Sequence, residues 1–220
     1  MPTSTVEDYL KRIYLEQVHS DGGLVSPGRI AQALDVAPGT VTAMMKTLTE
    51  SHLVVYEPYA GVRLTPAGGR LAAHVIRRHR LVELFLVRIM EMDWSEVHRD
   101  AEVLEHAISD QLLERMDEKL GYPSFDPHGD PIPTADGLLP VLEQDNLCSC
   151  PIDAQLTVSR VTDQRTEFLK LLERHRLKPG RGLRVRSRDV LTETVQVDPE
   201  GGKPLLLGFR AAARVLVQKT

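Results

Sequence analysis

Hydrophobic residues near the start of the chain recur at helical spacing and then give way to glycine. The spacing predicts a first helix from about residue 4 that ends at the glycines at 22–23. Its apolar positions are Tyr9, Leu10, Ile13 and Tyr14. Ser26 and Pro27 are typical of the start of a second, short helix, because serine caps the first turn and proline fits within it. A third helix is predicted over residues 38–51, which completes a helix-turn-helix.

A hairpin pattern follows the third helix. Residues 53–56 and 62–65 are typical of short strands, and the segment Tyr59-Ala60-Gly61 between them is typical of a turn. Two strands after a helix-turn-helix form a wing. The pattern therefore predicts a winged helix-turn-helix DNA-binding domain over residues 1–73, with a generic helical bundle as the alternative.

Two longer amphipathic segments occupy the middle of the chain. The first predicts a helix over residues 66–92, and the second predicts a helix that begins at an Asp93–Glu96 capping box and continues to about Met116. The second segment carries more apolar positions than one helical face needs, which indicates burial against a partner. We therefore predict an all-α dimerisation and metal-binding domain over residues 74–122. A two-fold dimer would place two reading helices roughly 34 Å apart, about one turn of DNA.

The last third of the chain differs from the rest in composition and in its hydrophobic pattern. Proline, glycine and aspartate are frequent over residues 121–140, and we predict a linker with bounds at 123–152. Beyond it, residues 153–220 contain five short strand patterns interrupted by one helix at 163–176. The strands are predicted at 155–161, 181–186, 191–197, 205–207 and 214–217. Short strands with little connecting helix favour a small barrel, so the predicted fold class is α+β.

The composition of the chain predicts the compartment in which the protein is found. The 220 residues are 42% hydrophobic with a net charge of −4, which predicts a globular chain with an ordinary core. No segment approaches the ~20 apolar residues of a membrane span, and the N-terminus is too polar for a secretory signal. Cys148 and Cys150 lie too close together for a useful disulfide framework. We expect a cytoplasmic protein that has no membrane partner.

Basic residues outnumber acidic ones between residues 29 and 80, although the whole chain is acidic. This segment contains the predicted helix-turn-helix, so contact with the phosphates of double-stranded operator DNA is expected. Hydroxyl and basic side chains suit phosphates, and small apolar residues at a helix start suit thymine methyl groups. The predicted DNA-binding residues are Arg29, Ala37, Pro38, Thr40, Thr42, Lys46 and Arg63.

Histidine and acidic residues share helical faces between residues 79 and 106. His79 and Glu83 are four residues apart, and so are His98 and Glu102. Glu102, Glu105 and His106 are predicted to form a triplet on a single helix. Carboxylates and imidazoles on one face bind a divalent cation well, and ion pairs without a metal are the alternative.

The same residues do not match two common catalytic metal sites. The segment over residues 102–106 begins with glutamate, whereas the related metalloprotease pattern begins with histidine. A di-iron bundle needs Glu-x-x-His on each of two helices, but Val103 and Ile76 stand three residues before the histidines here. We therefore expect no catalysis and no small organic substrate.

Four segments together resemble the diphtheria-toxin-repressor (iron-dependent regulator) family, in particular its manganese-responsive branch. They are VEDYLKRIY at 6–14, HRLVE at 79–83, VHRDAEVLEH at 97–106 and HGDPIP at 128–133. The resemblance covers nearly the whole chain. It implies a homodimeric, metal-dependent transcriptional repressor with a winged helix-turn-helix, a helical dimerisation domain and a C-terminal SH3-like (FeoA-like) barrel.

The resemblance also implies two metal sites. The primary site would combine Asp8 of the first helix with Glu102, Glu105 and His106. The ancillary site would combine three helical residues with two from the barrel segment, where acid and amide stand in reversed order from iron-type members. Its ligands would be His79, Glu83, His98, Gln164 and Glu167.

Ligand chemistry favours manganese as the cofactor. Iron-type members carry Met and Cys where this chain has Asp8 and Glu102, and hard carboxylate oxygen suits Mn²⁺. A short manganese-type member would carry a carboxylate in place of Lys11, so we favour the two-site, barrel-assisted arrangement. Other divalent transition metals would substitute in vitro.

The resulting hypothesis is a Mn²⁺-dependent repressor of metal-homeostasis genes. Metal binding would order the dimer so that its two recognition helices fit a palindromic operator. The alternatives are an Fe²⁺-dependent regulator of the same family and a winged-helix regulator that metal does not switch.

Overall fold

The computed structural model describes residues 3–18, 23–140 and 142–220. The chain divides into two compact units, each built from several segments. The first unit comprises Met1–His79, Glu105–Ile108 and Pro133–Leu139. The second unit comprises Arg80–Leu104, Ser109–Ile132 and Pro140–Thr220.

The first unit contains the predicted winged helix-turn-helix, which is confirmed. Its elements are α1 (Ser4–Val18), α2 (Pro27–Leu34), α3 (Pro38–Glu50), β1 (Val54–Glu57), β2 (Gly61–Leu64) and the first part of α4 (Pro66–Arg88). The expected end of the first helix at residues 22–23 lies partly outside the described residues. A common core joins these elements through buried Tyr9, Leu10, Ile13, Ile30, Val41, Met45, Leu48 and Val62.

Local signals explain where the short helices of this unit begin and end. The hydroxyl of Ser26 accepts a hydrogen bond from the backbone N–H of Arg29, and Pro27 occupies the first turn of α2. Asp35 ends that helix in the left-handed region, at φ 52°. Strands β1 and β2 pair antiparallel, with Tyr56 opposite Val62. The turn chemistry of the sequence therefore positions the reading helix α3 and the wing.

The helical middle of the chain differs from its prediction. Helix α4 ends at Arg88 rather than at residue 92, and two helices replace the long second one. They are α5 (Val97–Leu104) and α6 (Asp110–Leu120). The side chain of Ser109 accepts from the backbone N–H of Leu112 and so caps a new helix where the prediction had one continuing. Both short helices belong to the second unit, and the connection between them belongs to the first.

The predicted capping box at Asp93 and Glu96 is also wrong. Oδ1 of Asp93 accepts hydrogen bonds from the backbone N–H and the hydroxyl of Ser95, at 2.8 and 2.6 Å. These bonds close a turn, and α5 begins only at Val97.

The C-terminal part of the second unit is a six-stranded antiparallel sheet, which confirms the predicted β domain. Its elements are β3 (Asp145–Asn146), β4 (Leu156–Val161), α7 (Thr166–Arg174), β5 (Gly182–Asp189), β6 (Thr194–Pro199), β7 (Leu205–Gly208), α8 (Phe209–Ala212) and β8 (Val215–Lys219). The strand order is β3-β8-β4-β5-β6-β7. The five predicted strands are β4 to β8, whereas β3 and α8 were not predicted. Alternate residues such as Val185 and Val197, opposite each other, fill the core.

Part of the predicted linker is a compact turn within the second unit. Oδ1 of Asp126 accepts from the backbone N–H groups of His128 and Asp130, at 2.8 and 2.9 Å. Gly129 adopts φ 85° between them. The backbone N–H of Val161 in β4 donates to the carbonyl of His128, so the turn is attached to the sheet.

The described helices also bear on the membrane question. None of them combines the length and the apolar character that a bilayer crossing requires.

Candidate metal centre

Three donors for a metal ion meet in the first unit. Asp8 comes from α1, and Glu105 and His106 come from the connection between α5 and α6. Nε2 of His106 lies 2.9 Å from Oδ1 of Asp8 and 3.5 Å from Oε1 of Glu105. One ligand atom from each residue lies within 4.8 Å of the others. We call these three residues the first centre.

The break between α5 and α6 places Glu102 and Glu105 on different segments of the chain. The predicted triplet on one helix is wrong, because Glu105 and His106 lie beyond the end of α5 at Leu104. Glu102 stays on α5 in the second unit, where its carboxylate lies 3.6 Å from Nε2 of His98 and is 41% exposed. Glu105 is fully buried. The two glutamates therefore differ in burial.

The donors of the first centre fit a first-row divalent metal. Two carboxylate oxygens and an imidazole nitrogen are hard to borderline ligands, which suit Mn²⁺ and Fe²⁺. The ring of His106 presents Nε2 to both acids. Burial opposes a charge on His106, but its hydrogen bond with Glu7 and the charges of Glu105 and Asp8 raise its pKa. The nearby carboxylates therefore favour the protonated form of the imidazole.

Glu7 fixes the orientation of His106. Oε2 of Glu7 lies 2.7 Å from Nδ1 of His106, while Nε2 faces Asp8. Nη1 of Arg78 in α4 lies 3.5 Å from the other oxygen of Glu7. A carboxylate on the far ring nitrogen is the usual partner of a metal-binding histidine, because it sets the ring and the tautomer.

Glu105 is held by two further residues of the first unit. Nζ of Lys11 donates to both of its oxygens, at 2.9 and 2.8 Å. Nδ1 of His79 lies 2.6 Å from Oε2, a distance at which an imidazole N–H donates to a carboxylate. His79 was predicted to serve the ancillary site. The structure places its Nδ1 against Glu105 and Lys11.

The other predicted ancillary residues lie in the second unit. Nδ1 of His98 lies 3.0 Å from Oε1 of Glu83, which is fully buried. Gln164 and Glu167 line an open pocket together with His98, between the start of α5 and the start of α7. The amide of Gln164 donates to Oδ2 of Asp130 at 2.7 Å. The predicted juxtaposition of helix and β-domain residues is therefore present for His98, Gln164 and Glu167.

A second group of donors was not predicted. Glu83, Asp126 and His128 are buried, and one ligand atom from each lies within 4.8 Å of the others. Nδ1 of His128 lies 3.5 Å from Oε2 of Glu83. Nε2 of His128 donates to the carbonyl of Trp94 at 2.8 Å, which leaves Nδ1 directed at the acids. We call these three residues the second centre.

Several ionisable groups lie close together in the second centre. Burial, together with the charges of Asp130 and Glu83, raises the pKa of Asp126 to about 7. Burial opposes a charge on His128, but its close contact with Glu83 and the charges of Glu83 and Asp126 raise its pKa to about 9. Arg80 adds positive charge, with Nε 3.8 Å from Oδ2 of Asp126. Three buried acids, Glu83, Asp126 and Asp130, thus lie close to the basic groups of His128 and Arg80.

The residues predicted to contact DNA lie mostly on the surface of the first unit. Thr42 is half-buried and donates its hydroxyl to the carbonyl of Pro38 at 3.1 Å. Tyr59, predicted only as a turn residue, is fully exposed at the tip of the wing with φ 66°. The other candidates are exposed, namely Arg29, Ala37, Pro38, Thr40, Lys46 and Arg63.

Two family models match the chain. The model described as "Iron dependent repressor, N-terminal DNA binding domain" matches residues 1–62. The model described as "Iron dependent repressor, metal binding and dimerisation domain" matches residues 65–134. The HTH-type transcriptional regulator MntR of Shouchella clausii (strain KSM-K16) is 37% identical over 122 residues, which is 56% of this chain and 83% of that protein.

The chain belongs to the iron-dependent repressor family.

Solved structures of similar proteins agree over the full length. A structure titled "Manganese-dependent transcriptional repressor complex with manganese" is 36% identical, with a TM-score of 0.87 over 98% of this chain and 100% of that one. The structure of ScaR with bound Cd²⁺ is 34% identical, with a TM-score of 0.81 over the whole of both chains. The family fold therefore includes the C-terminal β domain of this chain.

Sequence reasoning missed several residues of both centres. Glu7 stands beside Asp8 in the first turn of α1, and a second acid next to a candidate ligand was a signal. His128 is flanked by two aspartates in Asp126-Pro127-His128-Gly129-Asp130, which was a further signal. No local pattern indicated that Lys11 would contact Glu105, 94 residues away.

Proposed function

We propose that this chain is a manganese-dependent, DNA-binding transcriptional repressor that controls metal-ion homeostasis. It acts as a homodimer on a palindromic operator. The meeting of Asp8 of α1 with Glu105 and His106 is the observation that carries this proposal, because α1 also contacts the DNA-reading elements.

Helix α1 connects the first centre to the helix-turn-helix and the wing. Asp8 lies in its first half. In its last turns, Glu16 pairs with Arg29 of α2 at 2.8 Å, and Oε1 of Gln17 accepts from the backbone N–H of Leu64 in β2 at 3.0 Å. A change in the position of α1 would therefore be transmitted to α2 and β2.

The residues of the first centre explain how metal would favour DNA binding. Bound Mn²⁺ supplies positive charge that the carboxylates share. Without it, Asp8, Glu7 and Glu105 surround one imidazole, and their mutual repulsion weakens the attachment of residues 105–108 to α1. The ligand shifts the population towards the DNA-competent arrangement only through its higher affinity for that arrangement.

The choice of manganese rests on ligand type and on the relatives. Asp8 and Glu105 offer oxygen, which Mn²⁺ prefers over softer donors. A similar structure is titled as a manganese-dependent repressor with manganese. Iron(II) is the second candidate, because the same donors accept it and the matching family models are described as iron-dependent.

The second centre is proposed as a further cation site. Asp126 and His128 approach Glu83 from the turn, and His98 approaches it from α5. Among the described residues, no hydrogen-bond donor reaches Oδ2 of Asp126, which leaves that oxygen available to a cation. Glu83 is thus a candidate ligand shared between the turn and the predicted ancillary residues His98, Gln164 and Glu167.

The dimer is supported by exposed apolar residues on the helices of the second unit. Val103 on α5 is 70% exposed and Leu112 on α6 is 51% exposed, both in the segment predicted for dimerisation. Apolar side chains at such positions are typical of an interface.

The domain bounds at 1–73, 74–122, 123–152 and 153–220 remain predictions.

The function is tested by DNA binding under defined metal. DNA that binds the full-length protein in 100 µM Mn²⁺, roughly a saturating level, is selected from a random library, and its affinity is measured by fluorescence anisotropy. We expect at least tenfold tighter binding with Mn²⁺ than with excess chelator, a difference of about 1.4 kcal/mol. Equal affinity in both would favour a regulator that metal does not switch. Activation by Fe²⁺ at lower free concentration than Mn²⁺ would favour the iron-dependent alternative.

Replacing Glu7 with alanine is expected to weaken Mn²⁺ binding at the first centre about tenfold or more. The reason is that His106 loses the carboxylate on Nδ1 that orients its ring. Mn²⁺ titration of the metal-free protein measures the effect. Glu57→Ala, which removes an exposed acid from β1 of the same unit, is the matched control. Equal affinities for the two variants would show that Glu7 does not position the ligand.

A further inference from the structure

Lys11 places a positive charge inside the cluster of donors around the first centre. Its side chain is 10% exposed, and Nζ contacts both oxygens of the fully buried Glu105. The same Nζ lies 3.1 Å from Nδ1 of His79. A carboxylate and an imidazole nitrogen around one positive charge resemble the donor set of a metal ion.

The two oxygens of Glu105 face different partners. Oε1 lies 3.5 Å from Nε2 of His106, on the side of Asp8. Oε2 lies 2.6 Å from Nδ1 of His79. The Oε1 side thus belongs to the first centre. The Oε2 side forms a separate pair with Nδ1 of His79, which would bind a metal after losing its proton, and the ammonium of Lys11 lies against that pair.

We propose that Lys11 is a resident cation that limits this cluster to one divalent ion. This inference rests on the proposed function, since it concerns the stoichiometry of the same centre. A second divalent ion between Glu105 and His79 would lie against the ammonium, and charges of the same sign at contact distance repel strongly in a buried site. In the metal-free protein the ammonium also neutralises Glu105, which would otherwise be a buried anion next to Asp8 and Glu7.

Three substitutions of Lys11 separate these roles. Lys11→Glu replaces the cation with a third donor beside Glu105 and His79, so the subunit should bind one more Mn²⁺ than the wild type. Lys11→Gln offers an amide oxygen at the same place and should also gain an ion, which covers the case in which Lys11→Glu does not fold. Lys11→Arg keeps the positive charge and should retain the wild-type count. The full-length proteins are prepared in Mn²⁺, freed of unbound metal by gel filtration, and analysed for metal per subunit.

The matched control is Lys119→Glu, which makes the same charge change at an exposed position of α6. It should bind the wild-type number of ions. An unchanged count in Lys11→Glu or, where that variant does not fold, in Lys11→Gln would overturn the proposal. A gain of one ion in Lys119→Glu would also overturn it, since charge alone would then suffice.

The metal-free state gives a second, independent readout. Thermal unfolding of chelated Lys11→Gln should have a midpoint below that of the wild type, and Mn²⁺ should raise it by more than it raises the wild-type midpoint. Equal midpoints would contradict the neutralising role of Lys11. Operator binding by the wild type with and without Mn²⁺ tests the proposed function separately, so failure of either idea can be recognised.

Discussion

Replacing Glu105 with glutamine is expected to destabilise the metal-free protein by about 3–5 kcal/mol, the usual effect of breaking a buried ion pair. It is also expected to abolish the response of operator binding to Mn²⁺. Glu105 is fully buried and accepts hydrogen bonds from Lys11 and His79. Glutamine has nearly the same shape but no charge, so the ammonium of Lys11 loses its carboxylate. The first centre loses one of its two acids at the same time.

Glu102→Gln is the comparison that makes this result informative. A triplet of ligands on one helix would make the two substitutions similar in effect. In the structure, the side chain of Glu102 is 41% exposed beside His98, so Glu102→Gln should change the free energy of unfolding by no more than about 0.5 kcal/mol. Urea unfolding in chelator measures both variants. Equal losses of stability would show that the difference in burial between Glu102 and Glu105 does not set their contributions to stability.

A double variant separates stability from metal response. Lys11→Met together with Glu105→Gln removes both charges, and replacing a buried ion pair by uncharged groups is often nearly neutral. The double variant should therefore regain most of the lost stability of Glu105→Gln. Its operator binding should remain insensitive to Mn²⁺, because the acid is still missing. A recovered Mn²⁺ response would exclude Glu105 as a ligand.

The winged helix-turn-helix could be predicted because its signals are local. Ser26 and Pro27 define the start of α2 through their own chemistry, and Gly61 marks the return of the wing. The strands of the β domain could be predicted for the same reason, because the alternation of apolar and polar residues that marks a strand lies within the strand itself. Such features depend on a few neighbouring residues.

The break between α5 and α6 could not be predicted in this way. Apolar residues continue through Val103 and Leu104, so the helical pattern does not stop at Glu105. The contacts that hold the break come from Lys11 and His79, which are distant in the sequence. Tertiary contacts therefore override the local pattern at the position where the first centre is built.

The two centres differ in what the sequence could show. Asp8 was expected to join Glu105 and His106 only through the resemblance to a family, and the structure brings the three together. The second centre depends on a turn whose conformation is fixed by Asp126 and Gly129. The turn residues were recognised as a motif, but their distance from Glu83 is a property of the folded chain.

Gly129→Ala is the second large effect that we expect, with a loss of about 3–5 kcal/mol in the free energy of unfolding. Gly129 has φ 85°, and an added Cβ would lie 2.0 Å from the carbonyl oxygen of Ser159. That oxygen belongs to the backbone of β4, which is held in the sheet by β8. The methyl group can be accommodated only if the turn moves away from the strand.

Movement of this turn would also disturb the second centre. His128 precedes Gly129, and its carbonyl accepts from the backbone N–H of Val161. Displacing His128 would move its Nδ1 away from Oε2 of Glu83, which lies 3.5 Å from it. We therefore expect the folded Gly129→Ala variant, in buffer without urea, to bind one Mn²⁺ ion fewer per subunit than the wild type. Elemental analysis after gel filtration measures this count.

Gly180→Ala separates the clash from the cost of the backbone conformation. Gly180 also has φ 85° and lies in the second unit, but a Cβ there meets no atom of the described chain within 4 Å. Its substitution should cost only the roughly 1–2 kcal/mol of a left-handed residue with a side chain. The difference between the two variants therefore measures the contact of the turn with β4. Equal losses in urea unfolding, together with an unchanged metal count, would mean that the turn yields freely and does not hold His128 at Glu83.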